Sequence, residues 1–353
     1  MFLHPSKRHV LIAGFILLCA TSALTQGLRW TKAAPFPEPD EELYGIGVNG
    51  KMYVLGGFGN VRGKNYEYDA AADKWTKKAP MPRPAHHQAM IEYQGKIYVF
   101  GGFVAPMSGP QGGWEPIDNA WVYDPAADQW RNLAPMPIKR GSAAANLVNG
   151  KVYVMGGATT PEGSKDVAIS NATTSNNLTR NDVYDIASNT WSSGAPMALA
   201  RNHMFSGVVN GKIYVIGGRI GHGFVTTSSN TDVVEEYDPA KDLWGVAKAR
   251  MISPRSGGGW ATYNGKIYVA GGEVQNERYS AAFRSLESYD PVANRWDILP
   301  SLPGAVHGNA VAFIGNKLHT VSGKMEGGGF ADAPGKATAD HSVMEMHATG
   351  GTQ

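Results

Sequence analysis

Short apolar runs alternate with polar, turn-forming stretches along the chain, and the alternation is itself repeated. Five runs, KMYVLGG, KIYVFGG, KVYVMGG, KIYVIGG and KIYVAGG, end in the diglycines Gly56-Gly57, Gly101-Gly102, Gly156-Gly157, Gly217-Gly218 and Gly271-Gly272, and a weaker sixth, KLHTVSG, ends at Gly323. Valine, isoleucine and tyrosine suit a pleated, half-buried strand, and glycine at its end permits unusual dihedrals and close backbone approach. Behind each of the first five runs stands a Tyr-Asp pair: Tyr68-Asp69, Tyr123-Asp124, Tyr184-Asp185, Tyr237-Asp238 and Tyr289-Asp290. A tryptophan follows each Asp six positions later, as Trp75, Trp130, Trp191, Trp244 and Trp296. The aspartate opens a turn, and the tryptophan returns a large surface for burial between neighbouring sheets. A period of this length signals an array of supersecondary units, so the 353 residues do not require two conventional domains.

Five full copies of this arrangement closely resemble the kelch family of β-propellers, and the resemblance covers nearly all of the chain beyond its first segment. It implies an all-β, six-bladed kelch β-propeller with blades over residues 38–75, 83–130, 139–191, 200–244, 254–296 and 304–353. In the sixth copy Val343 to His347 match a third strand, but no tryptophan follows. The missing strand is expected at the other end of the chain. Trp30 is followed five positions later by Pro35, as Trp75 is by Pro80, Trp130 by Pro135 and Trp191 by Pro196. Residues 27–36 are therefore expected to complete the last blade and close the ring, which leaves only short, protected strand edges.

Ahead of the repeats, Lys7 and Arg8 precede an apolar run from Val10 to Leu18 and the small residues Ala20, Ser22 and Ala23. This is a secretory signal pattern, with cleavage expected near Ala23, a mature propeller over 24–353, no stable membrane span and a secreted or periplasmic location. Its removal takes two of the 32 basic residues and none of the 30 acidic ones, leaving 30 against 30. A neutral chain without a Lys/Arg cluster is not expected to bind nucleic acid. The single cysteine, Cys19, lies within the signal, so no disulfide, thiol nucleophile or cysteine metal site is expected. Asn171 and Asn177 each begin an Asn-X-Thr acceptor pattern, relevant where a host glycosylates secreted chains.

Subtracting the blades from one another exposes what varies. In the segment entering each innermost strand the sixth positions are Asp40, Ala85, Arg140, Arg201, Arg255 and Val306, and the eighth are Glu42, His87, Ser142, His203, Gly257 and Gly308. The kelch resemblance places both sets around the mouth of the central channel. Arginines on blades three, four and five would face Glu38, Asp40, Glu41 and Glu42 on blade one, giving a dipolar mouth in which Arg140, Arg201 and Arg255 hold carboxylate or phosphate oxygens. Between diglycine and tyrosine lie 10, 20, 26, 18 and 16 residues in blades one to five, and long loops on a rigid scaffold carry recognition. The blade-two loop presents Trp114, outside the repeat pattern, as a stacking candidate or a packing element across the mouth, whereas Trp260, inside a strand, reads as core.

Metal chemistry is not expected from this pattern. His86, His87, His203 and His307 lie near one mouth, but adjacent strand residues point to opposite sides. Resemblance to galactose oxidase would imply copper with a crosslinked cysteine, which the mature chain lacks. Resemblance to kelch-type specifier proteins would imply iron held at four-residue spacing, which Glu162, Asp166 and Ser170 follow without the histidine. The motif boxes of six-bladed sialidases do not occur. The expected function is a monomeric, cofactor-free binding module for a protein segment, a glycan or an acidic small molecule. The alternative rests on similarity of plan to secreted N-acetylneuraminate epimerases, and would have the arginines hold the sugar carboxylate while Glu42, His87 or His203 move protons.

Overall fold

The computed structural model describes residues 27–58, 63–107, 113–224, 228–275, 280–328 and 337–346, and these contain strands and no helix. The expected signal, residues 1–23, lies outside the described residues. Among those described, no helix is long and apolar enough to cross a membrane.

Six four-stranded antiparallel sheets are arranged as the blades of a propeller. Blade one runs from the axis outward as Leu43–Val48, Lys51–Gly56, Lys64–Asp69 and Lys74–Lys77, and the next four blades repeat this order. The first two strands of blades one to five turn on Asn-Gly or Gln-Gly, with both residues at positive φ, for instance Asn49 at 49° and Gly50 at 76°. That is the type I′ geometry whose twist matches a tight hairpin. The diglycines also meet their requirement: Gly101 and Gly102 have φ of 58° and 110°, and a Cβ on Gly101 would lie 2.4 Å from the Arg140 carbonyl oxygen.

The core is divided into wedges between successive blades. Between blades one and two, for example, Tyr53 and Leu55 pack on Val99, Trp121 and Tyr123. The Tyr and Trp signals, with an Asp or Asn five residues after the tyrosine, become a latch repeated around the ring. Tyr68 donates its hydroxyl to Asp73 at 2.7 Å, and the same carboxylate oxygen accepts the Ala34 N–H at 2.7 Å, while Trp75 Nε1 donates to the Ala34 carbonyl at 2.9 Å. Tyr123, Asp128 and Trp130 do the same to Ala79, and Tyr184, Asn189 and Trp191 to Ala134. Each tryptophan thus ties its blade to the one before it. The aspartates of the Tyr-Asp pairs open the expected turns, Asp69 accepting the N–H groups of Ala71 and Ala72.

Blade six is closed as expected by Trp30–Lys32, which pairs antiparallel with His341–Glu345 in the register Trp30 to Met344. Trp30 Nε1 donates to the Pro300 carbonyl at 3.1 Å, and Phe36 is buried between blades six and one against Tyr66 and Trp75. Two buried histidines pin the seam: His319 Nδ1 lies 2.9 Å from His341 Nε2, and His341 Nδ1 lies 3.1 Å from the Ala34 carbonyl. Burial pushes both down, His341 to about 4 against opposing help from the Ala34 carbonyl and Asp73, and His319 to about 3 with His341 and Lys317 adding to the fall. The other neighbours, Tyr68 and Trp75, pack their rings on the pair. In the unfolded chain both imidazoles take up a proton as pH drops through 6.5, and the folded seam refuses it. Stability is therefore expected to fall from pH 6.5 downward, at about 1.4 kcal/mol per pH unit for each histidine until its folded value is reached. His341→Gln should flatten this slope in urea titrations between pH 6.5 and 4, and an unchanged slope would remove the seam from the account of acid sensitivity.

Candidate functional site

The eighth positions meet at the axis and form a collar across one end of the channel. Glu42, His87, Ser142 and His203 have φ of 57°, 57°, 54° and 52°, and Gly257 and Gly308 complete the ring at 61° and 59°. Four side chains thus occupy a left-handed conformation that is uncommon outside glycine, and such strain clusters at functional positions. Backbone hydrogen bonds run from one member to the next: Ser142 N–H to His87 O at 2.8 Å, His203 N–H to Ser142 O at 3.0 Å, Gly257 N–H to His203 O at 3.2 Å and Gly308 N–H to Gly257 O at 2.6 Å. Leu43 N–H continues the series to Gly308 O at 2.9 Å.

This collar brings together Glu42, His87 and His203, from blades one, two and four, with exposures of 5, 0 and 6 %. A carboxylate oxygen and one ring nitrogen from each histidine lie within 4.8 Å of one another. His87 Nε2 is 3.1 Å from the Glu42 carboxylate without the alignment of a hydrogen bond. His203 Nδ1 is held by the Asn202 side-chain oxygen, and its Nε2 lies 3.4 Å from Ser142 Oγ. Burial, reinforced by the Arg219 charge and neighbouring imidazoles, keeps His203 well below the usual histidine range. The strand alternation invoked for His86 and His87 fails because the chain turns left-handed at His87. Their rings stand 4.7 Å apart and their Nδ1 atoms are in contact, while His87 faces His203 at 4.6 Å.

Trp114 roofs this cluster. It is 6 % exposed, its ring centroid is 4.7 Å from His87, 5.5 Å from Phe103 and 4.4 Å from Phe224, and its backbone pairs with Ile169. Of its two expected roles, packing across the mouth is the one this geometry displays.

Glu41 and Glu42 stand at the mouth as expected, but the charges facing them come from other residues than the arginines anticipated. Directly after the diglycines stand Phe58, Phe103 and Ala158 on blades one to three and Arg219 and Glu273 on blades four and five, with Lys324 after Gly323 on blade six. From Phe103 onward these residues bridge to the seventh positions, as in His86 to Phe103, Asn202 to Arg219 and His307 to Lys324. Arg219 Nη2 donates to Glu273 at 2.5 Å, and His307 Nε2 lies 3.0 Å from Glu41 and 3.7 Å from Glu273. Burial alone would lower His307, but Glu273, Glu41 and Glu42 hold it up to about 9. Burial would likewise raise Glu273, yet His307, Arg219, the Gly328 N–H and the Gln275 amide draw it down to about 2. The sequence reading placed His307 near the mouth but missed Arg219 and Glu273, although the residue after each diglycine carries the signal.

Arg140, Arg201 and Arg255 are fully buried inside their own blades. Arg140 donates to Asp182 at 2.5 Å and to the Val154 carbonyl, and Arg201 to Glu235 at 2.5 Å and to the carbonyls of Val215, Gly217 and Val233. Arg255 donates to the carbonyls of Gly271, Val269 and Ser253 and pairs with Glu287 at 2.9 Å. Their forks bridge the second strand to the third and are consumed there, so the converging anion site anticipated from the sequence is not assembled. Asp40, on blade one, is paired with Lys64 at 2.5 Å. Glu162 and Asp166 are exposed while Ser170 is buried against Thr173, so that triad is not gathered either.

Behind the collar the channel opens into a cavity of about 400 Å³, lined among others by Gly45, Met90, Asn146, Ser206, Trp260 and Val311. Trp260 therefore lines the channel, edge-on to Tyr44 and Phe205, as well as packing on the core. Immediately beneath Glu42, Ser142 and His203 the space narrows to about 10 Å³.

Family comparison matches residues 43–225 to the Attractin/LZTR1 beta-propeller and residues 254–303 to the Kelch motif. Kelch-like protein terF of Aspergillus terreus is 30 % identical over 210 residues, 57 % of this chain and 42 % of that protein. Kelch-like protein 15 of Danio rerio is 30 % identical over 243 residues, 64 % of this chain and 37 % of that protein. The chain thus spans about two fifths of the length of these curated relatives. Among solved structures, YjhT superposes with a TM-score of 0.68 at 19 % identity, over 88 % of this chain and 96 % of that one.

Proposed function

Because this chain belongs to the kelch-repeat β-propeller family, we propose that it is a binding module that takes a protein segment across the mouth of its propeller. Kelch propellers commonly serve as protein-interaction modules. The observation that carries the reading here is a set of exposed apolar side chains on the loops of one face, beside which Leu243, Val246, Ile252, Val292 and Ile298 stand exposed elsewhere. Phe58, Met107, Val167 and Met325 stand exposed on the loops that follow the strand-ending glycines of blades one, two, three and six. Apolar anchors rimmed by charge are the composition of a protein-docking surface. Here Glu41, whose carbonyl accepts the Phe58 N–H, and Lys324, 3.7 Å from the Glu41 carboxylate, supply the charge beside Phe58. The pattern of residues 1–23 supports a secreted or periplasmic setting for this binding.

An anionic metabolite would need cationic donors, and Arg140, Arg201 and Arg255 spend theirs inside the blades. The epimerase alternative gains no support from Glu42, His87 and His203, since all three are buried beneath Trp114 on the mouth side. Screening residues 24–353 against a displayed random-peptide library should enrich sequences with an apolar anchor flanked by charges. Phe58→Ala should weaken the selected peptide at least about tenfold in fluorescence anisotropy, the loss of a typical anchor. Val292→Ala, on an exposed outer turn, should leave it unchanged. An absence of enrichment, or equal affinity for wild type, Phe58→Ala and Met325→Ala, would refute docking at this mouth.

A further inference from the structure

We propose that Glu42, His87 and His203 bind one divalent transition-metal ion of the zinc class, which ties blades one, two and four together at the axis. Two imidazoles and a carboxylate are a donor set for zinc, whose ligand atoms at about 2.0–2.2 Å from the ion stand roughly 3.3 Å apart. The donor atoms here already lie within 4.8 Å, so rotamer adjustments of about an ångström bring them to that spacing.

Three further observations point to an ion. His87 Nε2 is wholly buried, faces Glu42 and makes no hydrogen bond. His203 is oriented as a metal-binding histidine is, one ring nitrogen fixed by the oxygen of Asn202 and the other directed at Ser142 within the collar. Trp114, Phe103 and Phe224 close the site from the mouth with an apolar roof of the kind that shields metal centres. The neighbouring cation, Arg219, is neutralised by Glu273 at 2.5 Å. The adjacent set of Glu41, Glu42 and His307 is less suited, because His307 Nδ1 already bonds the Glu326 carbonyl and its Nε2 faces Glu41 and Glu273.

The test uses residues 24–353, stripped with chelator and titrated with ZnCl2 by calorimetry and thermal unfolding. One equivalent should bind, and Tm should rise by roughly 5 °C at a hundredfold excess over Kd. Glu42→Gln and His203→Gln should abolish both effects, while Glu162→Gln, an exposed acid outside the collar, should retain them. Should the collar variants not fold, Co²⁺ gives a second reading on the wild type. Bound cobalt should show intense d–d absorption that zinc displaces, and should quench a tryptophan signal that Trp114→Phe removes. No zinc binding, full stoichiometry in folded Glu42→Gln, or cobalt without protein-bound absorption would each overturn the proposal.

Discussion

Deleting residues 27–36 from the mature chain is expected to abolish cooperative folding of the entire propeller, although the segment contributes only one three-residue strand. Its loss removes the ladder of Trp30–Lys32 against His341–Glu345, the Trp30 bond to Pro300, and the Ala34 groups that satisfy Asp73, Trp75 and His341. It also removes Phe36 from the seam between blades six and one, a truncation that alone costs about 3–5 kcal/mol. A total stability of about 5–15 kcal/mol does not survive these losses together with an opened sheet edge. Circular dichroism melting should show either no transition or one lowered by more than about 15 °C, with aggregation at the bared His341–Glu345 edge. Trp30→Ala, which keeps the strand, should be milder. If the truncated chain melted like its parent, the ring would not depend on its closing strand.

The features that made this closure readable are those the fold repeats. Trp30 with Pro35, and a third strand at Val343 with no tryptophan after it, are departures from a sixfold template and point to each other across the chain. What the template could not supply was side-chain direction. The sixth, seventh and eighth positions are consecutive, yet Arg140, Arg201 and Arg255 turn into their blades, His86 and His307 line the mouth, and Glu42, His87 and His203 meet at the axis. Strand alternation cannot forecast this, because the backbone becomes left-handed at the eighth residue. Composition does not reveal it either, since four of the six residues there are not glycine. Arg219 and Glu273 escaped for a related reason: they and His307, which was placed near the mouth, come from different parts of the repeat and become neighbours only when a bridge joins the linker to the loop. The apolar collar roof was half visible, since Trp114 stands outside the repeat whereas nothing in the repeat pattern marks its partners Phe103 and Phe224.

Arg255→Ala separates the two roles open to the sixth-position arginines. If the guanidinium served a ligand at the mouth, its removal would leave stability nearly unchanged and lower affinity. The structure predicts the reverse. Glu287 is 2 % exposed and Arg255 is its only ion-pair partner among the described residues, so the variant leaves a buried carboxylate uncompensated and strips donors from the carbonyls of Gly271, Val269 and Ser253. Breaking one side of such a pair costs about 3–5 kcal/mol. Arg140→Ala should cost less, because Asp182 keeps a second cation in Arg180, at 2.5 Å from its other oxygen. The ordering of the two losses is thus set by the partner left behind and not by the arginine removed. Replacing both members, as Arg255→Met with Glu287→Leu, should recover much of the stability, since neither charge then remains unpaired in the blade. Calorimetric Tm values that failed to separate Arg255→Ala from wild type would return these arginines to the candidates for ligand contact.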